Sequence, residues 1–423
     1  NALYVSMLVY AWQLERHPLY LARLEETIGW VLRDMKVGDG FATSLDADTD
    51  GEEGRYDVWT EAEIDAALAG TATQRFKQVY NVTANGGHQG FNVLSRTGSN
   101  AAYPISEADE ALFAKQRQIL LETRSKRATP QRDDKVLADF NGMMIAALAR
   151  AGAVLRRTAW TVAAIKAFEF VEKSLGDGDR LYHSWRNGKR SKESFSDDYA
   201  HMINAALILW ESTNDKRYLA RAQAWTHTLN EHFWDLYNGG YFSTSDDADP
   251  LIVRPRPVFD NAMPCANGLM PGLLCKLYLA TMDPQYRARS NAIVEAFSGE
   301  VSRAFVSMPS YLNSLDTMAN SLQIVIVGPI TNAKTHELVI AVMGRSIPSG
   351  MVMLVDPREA LPADHPAFGK TMEGGVPTAY VCYRMTCAQP ITNPVTLSQA
   401  LQLPLRFTAP AQQQMAAPPM GRA

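Results

Sequence analysis

The stretches FATSLDAD (residues 41–48) and FSTSDDAD (residues 242–249) are near copies of each other, far apart in one chain. Each follows a glycine-bearing turn, VGDGF (37–41) in one case and YNGGYF (237–242) in the other, and a third such turn, GDGDRL (176–181), lies between them. Turns of this kind end helices, so the sequence upstream of each should be helical. It is amphipathic there, and an aromatic residue opens each segment: Tyr20, Trp160, Tyr218 and, further on, Tyr286. Three of the four carry arginine three positions later, at Arg23, Arg221 and Arg289, and YLAR occurs at both Tyr20 and Tyr218.

Ahead of each amphipathic segment runs a more densely apolar one, at residues 3–14, 143–155, 202–210 and 269–279. These are too apolar for surface helices and suit burial on most sides. Asn1, Asn141, Asp198 and Asn267 stand where each would be capped. A recurring helical hairpin with an apolar inner helix, and with its loops gathered on one face, implies stacking or closure into a ring.

Two regions break the rhythm. An insertion at about residues 41–131 contains a capping box at Thr60 (TEAE) and a second helix start near Ser106. After Asn320 the pattern becomes strand, helix, strand (QIVIVG, a helix near residues 333–342, MVMLVD), and AYVCYR at Ala379 adds another strand. The expected division is a hairpin domain over 1–320, a small α/β element over 321–407 packed on it, and a disordered tail over 408–423.

The chain has 423 residues, is 46% hydrophobic and 20% charged, and carries a formal charge of −4, an ordinary globular balance. Nucleic acid is not an expected partner, because the nearest basic run, RSKRATPQRDDK (124–135), is short and ends in acids. No apolar run approaches the roughly 20 residues that span a bilayer, and the N-terminus lacks signal-peptide features, so a soluble cytoplasmic protein is expected. Cys265, Cys275, Cys382 and Cys387 are expected to be reduced thiols, since neither pair has Cys-x-x-Cys spacing. The chain starts at Asn1 inside an apolar helical pattern, which reads as a fragment.

The segments LDADTDGEEGRYDVWT, RDDKVLADFNGMMIAALA, SDDYA at Ser196, LIVRPRPVFDNAMPCANG, IVIVG and AYVCYRMTC resemble, in this order, the YyaL-type (DUF255) family, known in animals as spermatogenesis-associated protein 20. The resemblance runs to about Leu401. It implies a mainly α fold, an (α/α)6 toroid of the six-hairpin glycosidase type, related in shape to N-acylglucosamine 2-epimerases and preceded in the family by a thioredoxin-like domain. That domain and at least one toroid helix are missing here, leaving a gap that a partner or a second copy of the chain could fill.

Three functions follow as expectations. The first is a carbohydrate-active cleft for a small-molecule or oligosaccharide substrate, hydrolysing with two carboxylates drawn from Asp46, Asp48, Asp134 and Asp198. Glu52, Tyr56, Trp59, Asp133, Lys135, Asn141, Tyr199, Asp260 and Asn267 would bind the substrate, the aromatics by stacking and the polar groups through hydroxyls. Phe140, Tyr182 and Trp185 also lie near the expected loop face. The second is a sugar 2-epimerase or isomerase with His183 as acid or base, His201 and His88 being alternatives. The third is a non-catalytic scaffold serving redox clients of the thioredoxin-like domain.

No cofactor is expected: a P-loop is absent, and the GPI after QIVIVG lacks the glycine pattern of a dinucleotide turn; GxSxG and HExxH are absent as well. Asp46, Asp48, Asp50, Gly51 and Asp57 fall on EF-hand positions, but a glycine break replaces the first helix, and the family form reads like DADSEGEEG. No metal is therefore expected.

Overall fold

The computed structural model describes residues 1–70, 72–87, 90–96, 106–383 and 386–402. His88 and the expected tail at 408–423 lie outside the described residues. The chain forms two compact units, residues 1–148 with 159–194, and residues 149–158 with 195–423.

The protein is mainly α-helical and built of helical hairpins. The first unit holds α1 (Ala2–Glu15), α2 (Pro18–Asp34), α3 (Glu61–Ala67), α4 (Thr73–Val79), α5 (Glu107–Arg124), the start of α6 (Ala138–Leu155) and all but the first residue of α7 (Thr158–Leu175). The second holds α8 (Ser196–Thr213), α9 (Lys216–His232), α10 (Ala266–Thr281), α11 (Pro284–Ala304), α12 (Pro309–Asn320), α13 (Ala333–Met343) and α14 (Pro394–Ala400). In the first, α1 packs on α2; in the second, α8 packs on α9, and α10 packs on α8, α11 and α12.

The hairpins share their turn chemistry. Arg16, Arg156, Asn214 and Met282, each at the end of an inner helix, adopt left-handed backbone with φ of 56°, 54°, 58° and 60°. Of these only Asn214 is a residue type that favours that region, so tertiary packing imposes the turn on the rest. The next helix then starts at once. His17, Asp215 and Asp283 cap α2, α9 and α11 by accepting from Leu19 N, Arg217 N and Gln285 N. Tyr20, Trp160, Tyr218 and Tyr286 all occupy the third position of their helices.

The caps expected for the inner helices are corrected at all but α8. Asn1 precedes α1 but makes no side-chain cap. Asn141 and Asn267 lie inside α6 and α10, whereas Asp198, the third residue of α8, does cap that helix by accepting from Phe195 N at 2.9 Å. Asn141 instead clamps the preceding hairpin end, with Oδ1 accepting from Phe41 N at 2.9 Å and Nδ2 donating to Phe41 O at 3.0 Å. Asn267 does the same to Tyr241, at 2.7 and 2.8 Å. A backbone hydrogen bond closes each hairpin end at the next residue: Ala42 N to Met35 O, Tyr182 N to Leu175 O, and Phe242 N to Phe233 O. Phe41 therefore matches Tyr241 rather than Phe242, so the near-identical sequences are one residue out of register in space.

The insertion has its own core of Trp59, Ile64, Leu68, Phe76, Val79, Tyr80, Val82, Phe113 and Leu120. Its helices start where local chemistry says they should. Thr60 and Glu63 complete the capping box of α3, and Ser106 Oγ accepts from Asp109 N at the start of α5. The apolar α1 is less enclosed than its pattern suggests, with Leu3, Tyr4, Met7 and Leu14 exposed.

In the second unit a sheet of order Gly350–Val355, Leu322–Val327, Thr378–Tyr383, Thr386–Cys387 packs by its first strand against α8 and α10. The first two strands are parallel, with α13 between them in the chain, and the rest are antiparallel. The thiol expectation is corrected here, because Cys382 and Cys387 form a disulfide. They sit directly opposite each other in the last strand pair, a proximity that cysteine spacing alone does not reveal. Cys265 and Cys275 are free. No helix among the described residues is long and apolar enough to cross a membrane.

Candidate functional site

The acidic stretch after Ser44 forms a tight hairpin. Strands Asp48–Thr49 and Glu52–Glu53 pair antiparallel around Asp50 and Gly51, whose φ values are 56° and 79°. Two positive φ values in a two-residue loop define the Asp-Gly turn that suits twisted strands. The carboxylates thus splay along a ladder instead of converging on an ion, and among the described residues they form no metal-sized trio. Such a trio does occur at His232, Asp246 and Asp247 in the second unit, where the imidazole and Asp246 already bond each other at 2.9 Å.

Beside this hairpin the first unit opens a cleft of about 460 Å³. Strand Ser44–Leu45 pairs with Arg132–Asp133, and Asp46 N donates to Gln131 O, so Asp46 faces the stretch that carries Asp133 and Lys135. Strand Ser184–Arg186 pairs with Val136–Leu137, and that register carries Arg186 alongside Lys135. The lining is polar: Ser44, Asp46, Gln131, Arg132, Asp133, Lys135 and Arg186, with Leu45 and Ala47 as its apolar part. Partial desolvation works against ionised Asp133. The Lys135 side chain and N–H, with the charges of Lys135 and Arg186, outweigh it and hold the carboxyl below its ordinary range.

Of the candidates read from sequence, Asp46, Asp133 and Lys135 meet in this cleft. Sequence reasoning missed Gln131, Arg132 and Arg186; for Arg186 the available signal was the hairpin register opposite Lys135. Asp134 accepts from Arg132 Nε at 2.6 Å and does not line the cleft. Asp48 lies on the exposed hairpin, opposite Glu53, and Glu52 pairs with Arg55 at 3.7 Å.

The aromatic candidates have other neighbours. Trp59 is 3% exposed within the insertion core, with the Arg127 guanidinium 4.1 Å from its ring centroid. Tyr56 carries Arg124 at 4.9 Å and Tyr182 carries Arg190 at 4.1 Å. Trp185 meets Phe170 edge-on, and Tyr199 is fully buried against Phe233. Trp59 and Tyr199 are buried, so packing replaces sugar stacking at both, while a cation–π contact takes one ring face of Tyr56.

The polar candidates outside the cleft, in both units, already have partners. Asp260 accepts from Cys265 N, Ser310 N and Ser310 Oγ, and Asp198 accepts from Phe195 N. Asn141 and Asn267 are the buried backbone clamps described above. His183 contributes its backbone to a hairpin end, donating N–H to Glu193 O.

His201 is fully buried with Nε2 at 2.9 Å from Pro264 O, so that nitrogen carries the proton of a neutral ring. Burial pulls its pKa down to about 4, against smaller upward pulls from Pro264 and Asp260. Because the folded value lies below the unfolded one, its contribution is complete above about pH 6.5 and is lost as pH falls towards 4. We expect the second unit to lose about 3 kcal/mol over that interval. Urea unfolding at about pH 7 and about pH 4, compared with a His201→Gln chain, measures it; equal pH slopes in the two proteins contradict the assignment.

The fold is thus of the mainly α, hairpin-built class. Within that class the chain is related in sequence to spermatogenesis-associated protein 20, being 28% identical to the Homo sapiens protein over 439 residues, which cover 92% of this chain and 56% of the relative. It spans about half the length of the curated relatives it matches. No protein-family model matches. Similar solved structures include a D-mannose isomerase, at 13% identity over 70% of this chain and 75% of that one with a TM-score of 0.36. Another is a family 76 glycoside hydrolase from a bovine Bacteroides thetaiotaomicron strain, at 12% identity over 81% and 64% with a TM-score of 0.35.

Proposed function

We propose that the first unit binds a carbohydrate in the cleft at residues 44–47 and 131–135, and that the chemistry open to it is glycoside hydrolysis. The observation that carries this reading is the lining, in which carboxylates Asp46 and Asp133 share the wall with Lys135, Arg186 and Gln131. Sugar hydroxyls donate and accept together, and a wall of both acceptors and donors can satisfy both functions at once. Asp133, held ionised, serves as acceptor for a hydroxyl or as base towards a water. Hydrolysis also needs a second carboxyl, and Asp46 is the other one lining the cleft.

Titration calorimetry with a panel of mono- and disaccharides tests the reading. Asp133→Asn should weaken the binding of any sugar found by about tenfold, the loss of one hydrogen bond to a charged acceptor. Asp46→Asn should abolish release of reducing sugar from a bound oligosaccharide. Unchanged affinity in Asp133→Asn would remove the cleft as the binding site.

A further inference from the structure

The second unit contains a separate cavity of about 410 Å³ between α10, α11 and the end of α12, a volume in the range of small-molecule sites. Its lining is amphipathic. Tyr278, Leu279 and Met318 supply apolar surface, while Arg287, Asn291 and Ser321 bring polar groups to the same space. Ser290, also in the wall, already donates to Pro271 O at 2.8 Å, so its proton is committed. Arg287 is exposed, with the Tyr278 ring 5.7 Å from its guanidinium carbon, an arrangement that orients the cation beside the apolar wall without neutralising it. The Cys275 thiol lies in the same wall and interacts with Ser321.

We propose that this cavity binds a small amphipathic carboxylate, with the acid group on Arg287 and Asn291 and the aliphatic part against Tyr278, Leu279 and Met318. A planar guanidinium pairs with a carboxylate through two parallel N–H bonds, and an amide beside it adds a further donor. A neutral sugar would leave the apolar wall unmatched, and an alkane would leave the cation unmatched. This site is independent of the sugar cleft in the first unit.

Calorimetric titration of the whole chain with octanoate, and in parallel with octan-1-ol, tests the proposal. Octanoate should bind saturably and more tightly than the alcohol. Arg287→Gln, at an exposed position, should weaken octanoate by about fivefold to tenfold while leaving the alcohol unchanged. Met318→Trp, which fills the cavity, should weaken both. The absence of saturable octanoate binding overturns the site, and so does an Arg287→Gln affinity equal to that of the unaltered chain.

Discussion

Replacing Lys276 with methionine is expected to lower the unfolding free energy by about 3–5 kcal/mol. Lys276 on α10 and Glu211 on α8 form an ion pair of 3.5 Å between side chains only 10% and 8% exposed. Glu211 Oε1 is buried and has no hydrogen-bond partner among the described residues, so Lys276 is its compensation. Removing the cation leaves an anion in a low-dielectric setting, a far larger effect than loss of a surface pair. The control is the double replacement Lys276→Met with Glu211→Met, which removes both charges and should recover to within about 1 kcal/mol of the unaltered chain. Denaturant midpoints of the two single and one double variants complete the cycle. A single-variant loss below about 1 kcal/mol would mean that the pair contributes no more than an exposed one.

The sequence is legible where structure is local. The capping box at Thr60 and Glu63 forms within one helical turn, and an aromatic residue recurs at the third position of α2, α7, α9 and α11. Both could be read without knowing what any residue packs against. The same holds for the strand, helix, strand unit after Asn320, whose strand Leu322–Val327 is apolar at nearly every position because it is buried throughout.

What was not legible depends on contacts distant in the chain. An asparagine near a helix start looks like a cap, yet Asn141 turns to Phe41 and Asn267 to Tyr241, which propensity cannot foresee. The insertion has a core of its own, and that core takes Trp59 out of the cleft that its acidic neighbours suggested. Asp46 and Asp133 meet only because strand Ser44–Leu45 pairs with Arg132–Asp133. The acidic run itself gave the location of the cleft but not its charge, since Lys135, Arg132 and Arg186 enter from other segments.

Truncating Asn267 to alanine should destabilise the second unit by about 2–5 kcal/mol, because the two buried backbone groups of Tyr241 lose their partner at ~1–3 kcal/mol each and the half-buried Pro257 carbonyl loses one as well. The amide accepts from Tyr241 N at 2.7 Å and donates to Tyr241 O and Pro257 O at 2.8 Å each. Asn267 and Tyr241 are 1% and 0% exposed, so water cannot take over. The approach is close enough to require glycine beside it, since a Cβ at Gly240 would lie 3.1 Å from Asn267 Oδ1 and 2.7 Å from the Phe297 ring. Asn267→Asp separates shape from hydrogen bonding. A carboxylate fits the same space and accepts from Tyr241 N, but it sets an oxygen against two carbonyls, so it should be no more stable than the alanine variant. Asn141→Ala repeats the experiment in the first unit, where Asn141 makes the matching bonds to Phe41 N, Phe41 O and Leu137 O at 2.9, 3.0 and 2.9 Å. Urea unfolding of the three variants reads the outcome. Rescue by aspartate would show that the position needs volume rather than an amide, and the repeated clamp would then be incidental to holding the hairpin ends.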